Sequence, residues 1–304
     1  MKSSKLKFHL KNKHQGGYDF SKLCKAYPLL SESVFENQYQ TKTVDFSNPN
    51  AVKALNTALL FLHYKIMYWD FPADNLCPPI PGRVDYIHHL ADLLKSSSID
   101  KNARILDIGT GASCIYSLLG NAEYNWQFVG TDIDKKSIEN AQYIIDKNNL
   151  TKKISLKHQL DKSHILKGIL SVTDKFEAVI CNPPFHDSNE AAIAATKKKL
   201  KGLDQETDFV RNFGGKHNEL WYKGGEKVFI HNYIYESSLF KKQCCWFSTL
   251  VSKKENVRPI KVSLKKLKAT EVKVIPMYQG NKNTRIVAWT FLTNQEQKEW
   301  SADL

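Results

Sequence analysis

Arg104-Ile-Leu-Asp-Ile-Gly-Thr-Gly-Ala-Ser113 is the stretch on which the reading of the fold turns. Arg104–Ile108 has the apolar content of a short buried strand, and the glycines at 109 and 111 allow the backbone to turn sharply beneath a ligand at the carboxyl edge of a sheet. A helix is expected to follow over Ser113–Leu119, its unpaired N–H groups facing the same crevice. The third glycine of a dinucleotide fingerprint is absent, because Cys114 stands in its place.

Outward from this stretch, strands and helices alternate. Trp126–Gly130 reads as a second strand, Lys135–Asn148 as a helix, Lys153–Lys157 as a weak third strand, and Phe176–Cys181 as a fourth that is apolar enough to be covered on both faces. Alternation of this kind implies a doubly wound parallel sheet. Beyond it the pattern changes. Cys245–Val251 reads as a strand and Val257–Leu267 as a helix. Glu271–Tyr278 and Arg285–Leu292 then form two alternating strands around Gly280-Asn-Lys-Asn283, a hairpin signal. A parallel sheet closed by an antiparallel hairpin is the outline of the Rossmann-like α/β fold of the class I methyltransferases that use S-adenosylmethionine (SAM). Upstream, Asn48-Pro49 opens a helix with apolar residues at Val52, Leu55, Leu59 and Leu62, Cys77-Pro-Pro-Ile-Pro81 reads as an extended connector, and Val84–Leu94 as a second helix.

Three strand ends carry chemistry. Asp107 to Ser113 supplies the glycine turn. Thr131-Asp132-Ile-Asp134 ends the second strand, where a carboxylate can accept both hydroxyls of an adenosine ribose; Asp134 competes with Asp132 for that role, or caps the helix at Lys135. Nicotinamide cofactors and SAM share such a ribose, so this motif does not choose between them. Asn182-Pro-Pro-Phe185, after the fourth strand, does. An amine on an aromatic ring is a poor nucleophile because its lone pair is delocalised. Acceptors aimed at its hydrogens make the nitrogen more pyramidal, and the Asn182 side-chain oxygen and the Pro183 carbonyl can supply them. Pro183 and Pro184 stiffen the turn, and Phe185 offers a face on which a base stacks.

Composition narrows the partner. With 44 Lys+Arg against 31 Asp+Glu, net +13, the chain favours a polyanion. Residues 1–17 hold Lys2, Lys5, Lys7, Lys11 and Lys13 with His9 and His14 and no acid before Asp19, which reads as a mobile arm able to grip phosphates. The stretch from His186 to Lys223, with Lys197–Lys201, Arg211, Phe213 and Trp221, reads as a substrate loop or lid. The six cysteines form no C-x-x-C pair and no metal-spaced cluster, and the apolar run Ala58–Tyr68 is broken by His63 and Lys65. A metal-free, cytoplasmic chain without a membrane span is expected.

Several blocks together resemble one family: Val44-Asp-Phe-Ser-Asn-Pro49, Pro79-Ile-Pro-Gly-Arg83, Asp85-Tyr-Ile-His-His89, Asp107–Ser113, Cys181-Asn-Pro-Pro-Phe185, Asn212-Phe-Gly-Gly215 and Gly224-Gly-Glu226. The chain resembles, nearly end to end, the RlmF-type adenine-N6 methyltransferases of bacterial large-subunit (23S) ribosomal RNA, and more distantly the eukaryotic enzymes that modify U6 spliceosomal RNA. The resemblance implies transfer of a methyl from SAM to an adenine N6, and cofactor contacts at Arg83, Gly109, Ser113, Asp132 and Asn182; Asp107 and Gly111 of the glycine turn are expected at the same site. The eukaryotic relatives carry Glu in place of Asp132. A further contact is expected in the loop after the third strand, where Ser163 is the candidate. Arg83 is expected to pair with the methionine carboxylate of SAM.

The combined expectation is a basic, mainly helical RNA-binding module over residues 1–95 and a SAM-dependent methyltransferase domain over 96–304, monomeric, acting on 23S rRNA or a large-subunit assembly intermediate. Another structured RNA, or a protein glutamine, is the alternative methyl acceptor.

Overall fold

The computed structural model describes residues 8–99, 102–184, 222–279 and 282–302. Its centre is a seven-stranded sheet formed by β3 (Arg104–Ile108), β4 (Gln127–Asp132), β5 (Ile154–His158), β6 (Phe176–Cys181), β7 (Cys244–Val251), β8 (Glu271–Gln279) and β9 (Lys282–Thr290), in the order β5-β4-β3-β6-β7-β9-β8. The first five strands run parallel. β9 joins β7 antiparallel, and β8 pairs with β9 from Glu271 opposite Thr290 to Gln279 opposite Lys282. Two short strands, β1 (Val34–Glu36) and β2 (Lys42–Val44), pair separately. Every residue of β6 and β7 is buried, as expected of strands covered on both faces.

Pleating sends Ile105, Ala178 and Ile180 to one apolar layer and Leu106, Val179 and Cys181 to the other. The first layer is covered by α2 (Pro49–Tyr64), α3 (Ile80–Lys95), α4 (Ile115–Tyr124) and α5 (Lys135–Lys147), together with the small α1 (Phe20–Ala26). The second is covered by α6 (Gly225–Ser237) and α7 (Val257–Lys266); α8 (Asn294–Ala302) follows the hairpin. The helices before residue 96 therefore share one core with the sheet. Leu55 and Leu59 of α2 and Val84, Ile87 and Leu90 of α3 lie in the same cluster as Trp246 and Ala288. The Tyr86 hydroxyl meets the Ser248 hydroxyl at 2.9 Å across this junction.

Local chemistry explains the element ends. Asn48 caps α2 by accepting from the N–H groups of Asn50 and Ala51. α3 starts at Ile80, ahead of the expected Val84, because Pro81 suits a first helical turn. α4 starts at Ile115, two residues later than expected. Cys114 has φ +51°, so the position where a third glycine was missing takes the left-handed conformation a glycine would adopt. Most of the other strand and helix limits fall within one or two residues of expectation, although β9 starts at Lys282 rather than Arg285.

The basic N-terminus departs from expectation. The part from residue 8 onward is not a free arm but a strap laid over α2, α3 and α4. The His9 N–H donates to Asp85 at 2.8 Å, and the Asn12 amide donates to the Pro81 carbonyl and to Asp85, each at 2.9 Å. The buried His14 ring meets the Tyr64 hydroxyl at 2.7 Å, Lys13 pairs with Glu123, and Lys11 lies over the Tyr124 ring. Burial pushes the His14 imidazole down to about 4, so it is neutral in the fold. The anchoring carboxylate, Asp85, lies far along the chain, so a block of like charges read locally could not reveal it. Lys2, Lys5 and Lys7 lie outside the described residues.

One close approach sets α4 against the sheet. A Cβ added at Gly120 would fall 2.3 and 2.6 Å from ring atoms of the buried Phe128. Helix propensity favours Ala over Gly by about 1 kcal/mol, whereas overpacking a core costs roughly 1–3 kcal/mol. Gly120→Ala is therefore expected to lower the urea midpoint, and adding Phe128→Leu to recover part of the loss. A raised midpoint in the single variant would contradict the close packing of α4 on β4.

Candidate active site

Parallel strands present their carboxyl ends on one edge of a sheet, and there a pocket of about 350 Å³ opens over β3, β4 and β6. Its size suits a nucleoside-bearing small molecule. The pocket is lined by Gly109, Thr110, Gly111 and Ser113 from the glycine turn, by Asp132 and Asp134 after β4, and by Asn182 and Pro184 after β6. Gly109 and Gly111 have φ +71° and +64°, the left-handed conformations the turn requires.

Asp132 organises this turn. One carboxylate oxygen accepts from the Gly111 N–H at 3.0 Å and the other from the Asp134 N–H at 2.9 Å. Each oxygen keeps a further lone pair for a ligand hydroxyl. Burial raises the Asp132 pKa, opposed by those N–H groups. Asp134 is occupied elsewhere: it caps α5, accepting from the Lys136 N–H and from the Ser137 hydroxyl at 2.9 Å. Asp132 is thus the candidate for the ribose, although both carboxylates border the pocket.

Arg83 reaches the pocket from α3. It donates to the Tyr116 hydroxyl at 2.9 Å and lies over that ring, and among the described residues it makes no ion pair. A cation so placed, with donors to spare, suits a ligand carboxylate. Asp107 lies beneath the turn rather than in the pocket lining. It is 1% exposed, and neither carboxylate oxygen has a hydrogen-bond partner among the described residues. Burial pushes its pKa up to about 7, opposed chiefly by the neighbouring Thr110 hydroxyl and also by Ser117 and Arg83, while Asp132 adds to the shift. The Asn182 Oδ1 is likewise buried without a partner among the described residues. Pro184 borders the pocket, Pro183 is buried outside the lining, and Phe185 lies outside the described residues, as do Lys197–Lys201, Arg211, Phe213 and Trp221.

Ser163 is not brought into the lining. It is exposed, and its hydroxyl donates to Asp161 at 2.6 Å. The loop after β5 instead offers Gln159, Lys162, His164 and Ile165 to the pocket. Glu236 of α6 sets the course of that loop, its buried carboxylate accepting from the N–H groups of Ile165, Leu166 and Lys167 at 2.6–3.0 Å. Nothing in the local sequence marks Glu236, since its partners lie some 70 residues earlier. The N-terminal region also contributes residues not singled out from the sequence. Leu76 and Pro78 line the pocket, and the Trp69 indole N–H donates to the Ser113 carbonyl at 2.9 Å. The Asn140 amide bridges the carbonyls of Ala112 and Asp70. Among the described residues no three His, Cys, Asp or Glu side chains gather as a metal site, and no helix is long and apolar enough to cross a membrane.

Comparison with known proteins agrees with this geometry. The sequence profile of an RNA methyltransferase family matches residues 2–293. The ribosomal RNA large subunit methyltransferase F of Flavobacterium psychrophilum is 49% identical over 304 residues, with 97% of each chain covered. Among solved structures, the human METTL16 catalytic domain in complex with MAT2A 3′UTR hairpin 1 superposes with a TM-score of 0.80 at 29% identity, covering 94% of this chain and 96% of that one. The N-terminal domain of human METTL16 in complex with SAH gives 0.76 at 28% identity, covering 94% and 100%.

The two neighbouring carboxylates can be separated by experiment. Asp132→Ala is expected to weaken SAM binding by about 1.5–3 kcal/mol, the scale of a hydrogen bond to a charged group. Asp134→Ala is expected to cost about 1 kcal/mol of stability through its lost cap while leaving affinity nearly unchanged. Calorimetry giving the reverse order of affinities would exchange the two roles.

Proposed function

This chain belongs to the RNA methyltransferase family and is a SAM-dependent enzyme, and we propose that its substrate is the N6 amino group of a specific adenine in large-subunit (23S) ribosomal RNA. The observation that carries the proposal is the buried Asn182 Oδ1, an acceptor without a partner among the described residues, at the end of β6 and beside the pocket. An unpaired buried acceptor is costly, roughly 1–3 kcal/mol, and an amino group supplies what it lacks. The names of the bacterial relatives support ribosomal RNA as the substrate class, and the hairpin-bound and SAH-bound human neighbours support RNA and adenosyl binding at such a fold.

The residues present fit the cofactor. Asp132 would hold the ribose hydroxyls with the lone pairs left free by the Gly111 and Asp134 N–H groups, and Arg83 the carboxylate. Bound SAM supplies an electrophilic methyl on its sulfonium sulfur. Asn182 accepts a hydrogen from the base amine, so the nitrogen lone pair is drawn out of the ring and becomes available. Pro183 and Pro184 keep that acceptor in place, which is preorganisation of a polar site. Phe185, by its place in the motif, is assigned the stacking face for an adenine turned out of its helix. A strong general base is not required, because the nitrogen becomes acidic once alkylated.

In this reading residues 1–95 add basic surface for RNA and lend Arg83 to the cofactor, and residues 96–304 carry the rest of the transfer machinery. The chain works as a monomer in the cytoplasm, on free 23S rRNA or on a large-subunit assembly intermediate.

Asn182→Ala is expected to reduce single-turnover methyl transfer, at saturating SAM and RNA, by about 10²-fold or more, the scale of removing one preorganised polar group. RNA affinity should hardly change, since phosphate contacts dominate it. A near-wild-type rate in Asn182→Ala would overturn the role given to this residue.

A further inference from the structure

A second groove lies outside the catalytic pocket, between α7 and the C-terminal hairpin. It is lined by Lys254, Arg258, Lys261 and Lys265, by Arg285 of β9, and by Val257, Val262 and Val274, with no acidic residue. Lys254 sits in the turn before α7, and Arg258, Lys261 and Lys265 follow at intervals of four, three and four residues, a spacing that puts side chains on one face of a helix. From Asn256 to Thr270 there are five cations and no acid. Among the described residues Lys254, Arg258, Lys261 and Lys265 are exposed and make no ion pair or side-chain hydrogen bond. A solvated helix face ordinarily mixes charges of both signs; this one does not.

Topology places the row beside the reaction. β7 runs parallel to β6 with Val179 opposite Phe247, and this register brings the end of β7 at Val251 level with the turn at Asn182–Pro183. The chain enters the groove from there, and Arg285 lies opposite Val251. The buried Glu226 fixes the junction by accepting from the Ser252 N–H at 2.7 Å and the Asn256 amide at 2.6 Å. Glu226 lies in the first turn of α6, just after Tyr222 and Lys223, which line the catalytic pocket.

We propose that this groove is a second RNA-binding surface, on which Lys254, Arg258, Lys261 and Lys265 hold successive phosphates of the strand flanking the target adenine. The proposal rests on the RNA reading above and adds a place and a direction: the strand leaves the pocket over the end of β7 and runs along α7. Guanidinium and ammonium groups in a lining without an acid match a phosphodiester chain, and the valine floor makes no demand on base identity. The groove should therefore bind without sequence preference.

The test uses the full chain and protein-free large-subunit rRNA. Arg258→Gln, Lys261→Gln and Lys265→Gln are combined in one variant. A control combines Lys147→Gln, Lys152→Gln and Lys242→Gln, exposed lysines near the opposite ends of the strands. The groove variant is expected to raise the RNA Kd by about ten-fold. It should also flatten the plot of log affinity against log salt by about 0.7 for each phosphate no longer neutralised, near 2 in total for a single strand. SAM affinity and the rate at saturating RNA should match wild type, and Arg258→Lys alone should keep most of the affinity. Wild-type Kd and slope in the groove variant, or an equal loss in the control, would overturn the proposal while leaving the transfer reaction intact. So would a groove variant that binds RNA normally but no longer captures a ribosomal protein. Failure of the wild-type chain to bind or methylate RNA at all would overturn the RNA reading beneath it.

Discussion

The site depends first on one carboxylate. Asp132 ties the glycine turn after β3 to the chain leaving β4, accepting from the Gly111 N–H on one side and the Asp134 N–H on the other. Three residues in or beside this turn hold positive φ, at Gly109, Gly111 and Cys114. The two glycines take this conformation without steric cost, but Cys114 does not, and the turn is held from outside. Trp69 holds the Ser113 carbonyl, Asn140 holds that of Ala112, and Asp132 holds Gly111. The same carboxylate then faces the pocket, so the group that shapes the turn is also the one offered to the ligand.

Several of the buried polar atoms without a hydrogen-bond partner among the described residues lie beside this turn. Most buried polar atoms find partners, yet both oxygens of Asp107 and the Oδ1 of Asn182 find none among the described residues. They sit at the ends of the adjacent strands β3 and β6. Local rules are broken where function requires it, and of these atoms the Asn182 Oδ1 belongs to a residue that lines the pocket, where a ligand amine supplies the donor it lacks. The pKa of Asp107, pushed up to about 7 by burial, follows from the same placement.

How much of this was legible follows from how local each signal was. Phe176–Cys181 and Arg104–Ile108 could be bounded because apolar runs end abruptly at Asn182 and Gly109. Asp132 could be picked out because it ends a strand at the carboxyl edge of a parallel sheet, and its rival Asp134 stands where the helix beginning at Lys135 takes a cap. Pairings across long stretches of chain left no local trace. Asp85 turns the basic N-terminus from a free arm into a strap, and Glu236 sets the path of the loop that brings in His164 and Ile165 but leaves Ser163 outside the lining. The N-terminal helices, read as a separate module, share their apolar core with the sheet and lend Arg83, Leu76 and Pro78 to the pocket. That arrangement couples the N-terminal helices to the cofactor edge by packing rather than by a linker.

The central claim is chemical: an acceptor at the end of β6 readies an adenine amine for methylation. Its most direct test is the position of the transferred methyl. The chain is incubated with methyl-labelled SAM and protein-free large-subunit rRNA, the RNA is digested to nucleosides, and the label is located by mass spectrometry. The account predicts label in N6-methyladenosine and in no other nucleoside. Label on another base, on the ribose, or on a protein glutamine when ribosomal proteins are added would contradict it.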